Sequence, residues 1–317
     1  MPAVTVTAKT LLSAEVIQLQ LTADQGSTLP AWQAGAHITL HLPNGLSRQY
    51  SLLPCAHEHC YEVAVKYDNS SRGGSAWIHQ QLQCGDRLQI SEPANAFSLV
   101  PGQAPILFLT AGIGITPLLS MLSQCVAEGR TCQLYYCVKD PTDAVLTDHI
   151  SAFLPQQQFR LYSSQQNNGN RLNFDQLFQQ LATDTLIYCC GPGQFTEDVI
   201  TAASHAGFAK DAIHYELFQA ATMADDPIAE EFEIEIASSG QILTVPATSS
   251  IAEVLDAHDI FIPLSCEQGI CGSCRTTVLN GQPLHRDHYL SEDEKACGTV
   301  ILPCCSRAKS RRLTLDL

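Results

Sequence analysis

The sequence predicts a multidomain chain of α/β and β type: an antiparallel β-barrel, then an α/β domain with a parallel sheet, then a small β-grasp domain. Three observations predict it. Over the first hundred residues apolar and polar side chains alternate at the period of a strand. From Pro105 apolar runs alternate with helical patterns. After residue 231 a hairpin pattern, a capped helix and a cysteine-rich loop follow one another. With 317 residues, 45% hydrophobic and 15% charged, the chain has the length and ordinary globular composition for several cores. The expected boundaries are 1–103, 104–222 and 223–317, with 223–231 as a linker.

The barrel rests on Val4 and Val6, then Val16, Leu19 and Leu21, then Ile38, Leu40 and Leu42, then Tyr61, Val63 and Val65, with turn signals at Asp24–Gly26 and Pro43–Gly45 between them. A short helix over Ala76–Leu82 is expected next, capped by Ser75, ahead of the Gly85-Asp86 turn. In the second segment Ile106–Leu109, Gln133–Val138 and Leu186–Cys190 read as strands, and Pro117–Glu128, Phe174–Leu181 and Thr196–Ala206 as helices. Such alternation argues for a parallel sheet flanked by helices. The stretch Gln219–Glu231 is small, acidic and without periodicity, as a linker would be. Phe232, Ile234 and Ile236 then alternate, Ser238–Gly240 turns, Ile242–Val245 returns, and Ser250 with Glu253 forms a capping box.

Charge and cysteine usage narrow the function classes. The net charge of -15 excludes nucleic acid as a partner, because phosphates demand a basic footprint. Residues 223–317 carry 7 basic and 15 acidic side chains, so more than half of the excess lies in the last segment. It reads either as a solubilising surface or as an acidic docking face for a basic protein. The uncharged run Ala104–Leu122 is interrupted by Gly112, Gly114, Thr116 and Pro117, so it reads as buried α/β structure and no membrane span is expected. With 14 cysteines and no export signal in MPAVTVTAKT, free thiols in a reducing cytoplasm are the simplest expectation.

Four of those cysteines carry chemistry. Cys266, Cys271, Cys274 and Cys304 stand as C-x4-C-x2-C-x29-C, the thiolate spacing of plant-type two-iron, two-sulfide clusters. Zinc sites usually use two close pairs instead. Gly269 and Gly272 let the backbone wrap closely round such a cluster. In LTAGIGITP, Gly112 and Gly114 lie between an apolar strand and a helix starting at Pro117, where a backbone can approach a pyrophosphate or where a strand and helix merely pack tightly. A second strand ends in Cys189-Cys190-Gly191-Pro192, so two strand ends can open on one crevice. Arg48, Tyr50 and Ser51 bring a guanidinium, an aromatic ring and a hydroxyl together, with Ser51 on the opposite face unless the strand bends. Arg72, Gly73, Gly74 and Ser75 make a sensible phosphate cradle. The six-residue run Cys55–Cys60, with His57 and His59, is crowded for a metal site and reads as a polar surface loop. Cys297 and Cys305 read as packing thiols.

These motifs, in this order, resemble the flavin reductases of the ferredoxin-NADP reductase superfamily, specifically the phthalate dioxygenase reductase and vanillate O-demethylase reductase family. The resemblance covers essentially the whole length. It implies an FMN-binding barrel, an NAD-binding α/β domain and a C-terminal ferredoxin. It assigns Arg48 to the flavin phosphate, Tyr50 to the isoalloxazine, Ser51 to a bond near its N5, Val65 and Lys66 to backbone contacts with the ring, and Arg72 to Ser75 to the phosphate loop. Gly112, Gly114, Thr116 and Pro117 match the family's pyrophosphate motif, with Ala111 standing for its first glycine. Cys190, Gly191 and Pro192 fall beside the nicotinamide, Phe218 against the flavin, and Cys304, not Cys305, becomes the fourth iron ligand. By resemblance the electron donor is NADH. Locally, Asp140 would suit a ribose hydroxyl and Lys139 a 2′-phosphate. The implied partner is a Rieske-type oxygenase acting on an aromatic acid or a similar small molecule. The alternatives are a stand-alone NAD(P)H:flavin or quinone reductase with zinc at its C-terminal cysteines, and an electron-carrier module that is not an enzyme.

Overall fold

The computed structural model describes residues 2–23, 28–55, 59–68, 73–218, 230–264, 269 and 271–317. It divides into two compact units, Met1–Phe218 and Gln219–Leu317.

The first unit opens with strands β1 (Ala3–Ser13), β2 (Val16–Ala23), β3 (His37–His41), β4 (Ser47–Leu53) and β5 (Cys60–Lys66), helix α1 (Gly74–Gln80), and strand β6 (Arg87–Ile90). The strands are antiparallel and their order, β1-β2-β5-β4-β3-β6, closes because β6 pairs back onto β1. Alternation decides which side is core: Val4, Val6, Leu19, Leu21, Ile38, Leu40, Val63 and Val65 are all buried inside. Helix α1 begins at Gly74 with Gly73 at its N-cap, in the left-handed region at φ 95°. Ser75 is therefore not the cap. It lies within the first turn, where its hydroxyl accepts from the Asp68 amide at 3.1 Å, because only a glycine takes the cap's backbone conformation without strain.

The same unit continues with β7 (Ile106–Ala111), α2 (Ile115–Ala127), β8 (Cys132–Val138), α3 (Thr147–Phe153), β9 (Phe159–Ser163), α4 (Phe174–Phe178), β10 (Leu186–Gly191), α5 (Gly193–His205) and β11 (Ile213–Leu217). All five strands are parallel, in the order β11-β10-β7-β8-β9. The run Ala104–Leu122 is thus a strand, a turn and most of a helix. No described helix is long and apolar enough to cross a membrane.

Ring and sheet share a core. Leu53, Ala64 and Phe97 pack with Leu118, Leu119 and Met121 of α2, and the Gly35 amide donates to Ser120 Oγ of α2 at 3.0 Å. Arg130, buried, donates to the carbonyls of Ala104 and Val100 at 2.8 and 2.7 Å, and the Val100 amide donates to Tyr188 Oη at 2.7 Å. The connection near residue 103 is therefore hydrogen-bonded on both sides, and segments 1–103 and 104–218 belong to one compact unit.

The second unit has β12 (Phe232–Ile236), β13 (Ile242–Val245), α6 (Ile251–Asp256), β14 (Thr276–Asn280), β15 (Pro283–Leu284), α7 (Glu292–Cys297), β16 (Val300–Ile301), β17 (Arg307–Ala308) and β18 (Arg312–Leu315). Its mixed sheet runs β13-β12-β18-β14-β16, and β15 pairs with β17. The expected hairpin is present. So is the capping box: Ser250 Oγ accepts from the Glu253 amide at 3.1 Å while Glu253 accepts from the Ser250 amide at 2.8 Å. The linker stretch 219–229 lies outside the described residues.

Candidate active site and cluster loop

Three groups of expected site residues have a definite geometry. In the first, β4 runs antiparallel to β3, with Leu40 opposite Arg48, Ile38 opposite Tyr50 and His37 opposite Ser51. Arg48 and Tyr50 thus share the face of the buried Ile38 and Leu40, while Ser51, itself buried, points to the other face together with Leu53. That other face is the one α2 covers. Burial pushes the Tyr50 phenol well above its ordinary value, partly offset by the Arg48 guanidinium. Burial also lowers His37, the partner of Ser51 across the strands, which holds its imidazole neutral near pH 7.

Arg48 and the glycine turn meet directly. A Cβ on Gly74 would lie 2.8 Å from Arg48 Nε and 3.2 Å from its Cζ, so the guanidinium sits on the first turn of α1 because Gly74 has no side chain. Arg72 lies outside the described residues. Val65 sends its side chain into the barrel core and its carbonyl to His79 Nε2 at 2.9 Å. Lys66 is exposed and 3.5 Å from Glu15.

The second group is at the carboxyl ends of β7 and β10. Gly112 has φ 56° and starts the turn into α2, which begins at Ile115, two residues before Pro117. Any Cβ on Gly114 would collide with the Cys190 carbonyl and with Gly191 N, and one on Gly191 would come 2.8 Å from the Phe195 ring and 3.1 Å from Ala111 Cβ. The two glycine motifs are thus pressed against each other. Thr116 Oγ1 donates to the Ile113 carbonyl at 3.0 Å and holds the turn closed; Pro117 is buried in α2, and Pro192 is the N-cap of α5. Parallel register then aligns Thr110, Cys190 and Glu216 side by side across β7, β10 and β11. Among the described residues, Thr110 Oγ1 and Glu216 Oε2 are buried without a hydrogen-bond partner. Burial pushes the Glu216 carboxyl up to about 8, and burial followed by the nearby Glu216 holds the Cys190 thiol well above the ordinary range. At neutral pH both are mainly neutral. Phe218, at the end of β11, packs against the same cluster as Cys190 and Ile115. Thr110 and Glu216 carry no motif; the signal that could have found them is their register with Cys190.

The third group is the cysteine loop. Cys274 and Cys304 are buried and Cys271 half-buried; Cys266 lies outside the described residues. A hydrogen bond from Cys304 holds the Cys274 thiol below its ordinary value, and the Ser273 amide donates to Cys271 Sγ at 3.5 Å. Gly269 and Gly272 have φ 74° and 71°. A Cβ on the first would strike Cys305 Sγ and lie 3.1 Å from Asp287, and one on the second would strike the Tyr289 ring. Two described thiols on a loop that only glycine can close, a third, Cys304, hydrogen-bonded to Cys274 from a distant part of the chain, and an amide aimed at one sulfur fit a thiolate-bound cluster. Cys305 is half-buried beside the core, but Cys297 is exposed, so it is not a packing thiol. Cys55 and Cys60 are joined by a disulfide, which departs from the expectation of free thiols.

Comparison with known proteins agrees with this geometry. Residues 108–201 match the oxidoreductase NAD-binding domain, and residues 234–309 match the 2Fe-2S iron-sulfur cluster binding domain. The chain is 42% identical to vanillate O-demethylase oxidoreductase of a Pseudomonas strain, over 99% of each chain. It is 36% identical to the carnitine monooxygenase reductase subunit of Escherichia coli, over 96% of this chain and 95% of that one. The solved structure of phthalate dioxygenase reductase superposes with a TM-score of 0.79 at 34% identity, covering 99% of this chain and 97% of that one. Fold and site therefore define an NAD-linked, iron-sulfur oxidoreductase. The chain belongs to the family of phthalate dioxygenase reductase and vanillate O-demethylase oxidoreductase.

Proposed function

We propose that this protein is the NADH-dependent reductase component of a Rieske-type non-haem iron oxygenase system. Residues 1–103 would hold FMN, 104–222 bind NADH, and 223–317 form a β-grasp ferredoxin that docks on the oxygenase in the cytoplasm. The observation that carries this reading is the convergence of Gly114 on Cys190 and Gly191, beside Thr110 Oγ1 and Glu216 Oε2, both buried without a hydrogen-bond partner among the described residues, in a chain that also carries the thiol loop. When bound, FMN accepts the two electrons of a hydride from NADH and passes them on singly, and the cluster carries one electron at a time.

The side chains position and tune. Arg48, seated on Gly74, offers donors for the flavin phosphate beside the turn of Gly73, Gly74 and Ser75, where Arg72 would add a second cation. Ser51, on the α2 side of β4, is the hydroxyl for the flavin edge, and Tyr50 supports it from the other face. Gly112 and Gly114 bring backbone amides toward the pyrophosphate at the start of α2. The Thr110, Cys190 and Glu216 row suits the nicotinamide end. A protonated Glu216 carboxyl can donate a hydrogen bond to a carboxamide oxygen, and a neutral Cys190 thiol fills the space against the ring without adding charge. Phe218 would cover the flavin face and exclude water. Cys266, Cys271, Cys274 and Cys304 would supply the four thiolates.

The test is reconstitution. Purified protein with NADH should bleach its flavin and reduce a partner oxygenase, and replacing Cys304 by serine should abolish the second step alone. A zinc-loaded colourless C-terminal unit would point to the stand-alone reductase, and release of FAD instead of FMN would change the flavin assignment only.

A further inference from the structure

We propose that Cys55, Cys60 and Glu62, when the cysteine pair is reduced, form a second metal site on the outer face of the barrel, built for a thiophilic divalent cation of the zinc class. One ligand atom from each of the three lies within 4.8 Å of the other two. An ion with bonds of about 2.0–2.3 Å to sulfur and oxygen bridges such a triangle after small side-chain rotations. The cluster cysteines belong to the other compact unit, so this is a separate site.

The barrel register explains the grouping. Cys60 opposes Thr22, Glu62 opposes Gln20 and Ala64 opposes Gln18, so these residues form the outward-facing row while Tyr61, Val63 and Val65 fill the interior. Cys60 and Glu62, two residues apart, share that face. Cys55 follows the end of β4, and its sulfur lies 3.7 Å from Glu62 Oε1.

The carboxylate is held for the purpose. Gln18 Nε2 donates to Glu62 Oε2 at 2.8 Å, Gln20 Nε2 donates to Oε1 at 3.4 Å, and the same Gln20 nitrogen lies 3.9 Å from Cys60 Sγ. Side-chain amides that orient the ligands without ligating are what surrounds a metal centre, and they also restrict how far the carboxylate can turn away. Two sulfurs select a soft or borderline ion over magnesium or calcium. Among the described residues three ligands come together, which leaves a fourth position for water or an exchangeable group, as in an open zinc site.

The disulfide makes occupancy depend on redox state. A thiol reductant delivers two electrons and two protons, the sulfur–sulfur bond breaks to give two thiols, and the reductant becomes the disulfide. Binding of Zn2+ then releases the two thiol protons to solvent as two thiolates form on the metal. In the oxidised pair neither sulfur is a thiolate and the site is closed.

The experiment uses the holoprotein, reduced anaerobically with a phosphine, mixed with Zn2+, desalted, and assayed for zinc, iron and flavin per chain. The expected result is about one zinc per chain in the reduced protein and none in the oxidised one, with iron and flavin constant. Cys60→Ser should lose that zinc while keeping iron and flavin. Cys55→Ser, at a half-buried position, should do the same if the first variant fails to fold. Glu62→Gln should weaken zinc binding at least tenfold in a chelator competition. No uptake by the reduced protein, equal uptake by the oxidised one, or zinc that persists in both cysteine variants would each overturn the proposal. Zinc gained at the expense of iron would place it at the cluster thiols and would overturn it too.

Discussion

Replacing Glu216 with glutamine should remove a pH dependence of stability that the buried carboxyl imposes. In the folded chain this carboxyl titrates at about 8 against an ordinary 4.5, because burial disfavours its charged form. Below about pH 4.5 it is protonated in both folded and unfolded chains, and its contribution is fully present. Between 4.5 and 8 the folded state keeps a proton that the unfolded state has lost, so stability falls as pH rises. Above 8 the loss is complete. At about 1.4 kcal/mol per pH unit the loss reaches at most about 5 kcal/mol across that window. Glutamine keeps the shape and has no proton to lose, so E216Q should gain on the wild type by about 1.4 kcal/mol for each unit between pH 5 and pH 8. Denaturant unfolding of both proteins at intervals over this range, following the transition of residues 1–218, measures the difference. Parallel profiles, within about 0.5 kcal/mol, would refute the reasoning that this carboxyl is held neutral.

Other consequences concern the separate parts of the relay. Cys304→Ser should remove the cluster's visible absorption and partner reduction while leaving NADH-driven reduction of dyes near the wild-type rate, and Cys305→Ser should do little; a normal cluster in the first variant contradicts the ligand assignment. Gly114→Ala must push the backbone away from the Cys190 carbonyl; a strained substitution of this kind costs about 1–3 kcal/mol, so KM for NADH should rise about tenfold or more in steady-state assays, with cluster content unchanged. Arg48→Ala removes a charged donor beside Gly74 and should weaken FMN binding by about 2 kcal/mol, near thirtyfold, in a flavin fluorescence titration. Because residues 223–317 hold most of the acidic excess, partner reduction should slow as salt is raised, whereas a flat profile would argue against an acidic docking face.

The legible part of the fold was the part with a strong period. The interior rows of the barrel, the strands β7, β8 and β10, and the Ser250 capping box follow from alternation or cap chemistry that needs no partner in space. In the parallel-sheet segment the elements absent from the sequence reading are α3, β9 and β11, and β6, α7 and β14 to β18 are absent from it as well. Of the former, the two strands are the instructive ones. Both strands lie at the edges of the parallel sheet, where side chains are half exposed: Arg160 and Leu161 on β9 and Tyr215 on β11 are open to solvent, so the apolar run that marks a buried strand is broken. Helix starts shifted for a related reason. Ser75 and Pro117 carry strong N-terminal signals, but the backbone turns earlier, at Gly73 and Gly114, where a glycine permits the left-handed cap in one case and close strand contact in the other.

The same division runs through the candidate site. Motifs local in sequence, such as Gly112 to Pro117 or the cysteine triplet, announce themselves because turn geometry and ligand bite constrain a few adjacent residues. Glu216 could not be found that way. Its carboxyl becomes unusual only when β11 pairs with β10 and places it beside Cys190, with Thr110 on the far side. That register depends on where each strand begins, and a shift of one residue would turn Glu216 to the opposite face of the sheet and leave it charged. Its neutrality is therefore a property of strand pairing, and a substitution that slips β11 should restore an ordinary carboxylate even with Glu216 intact.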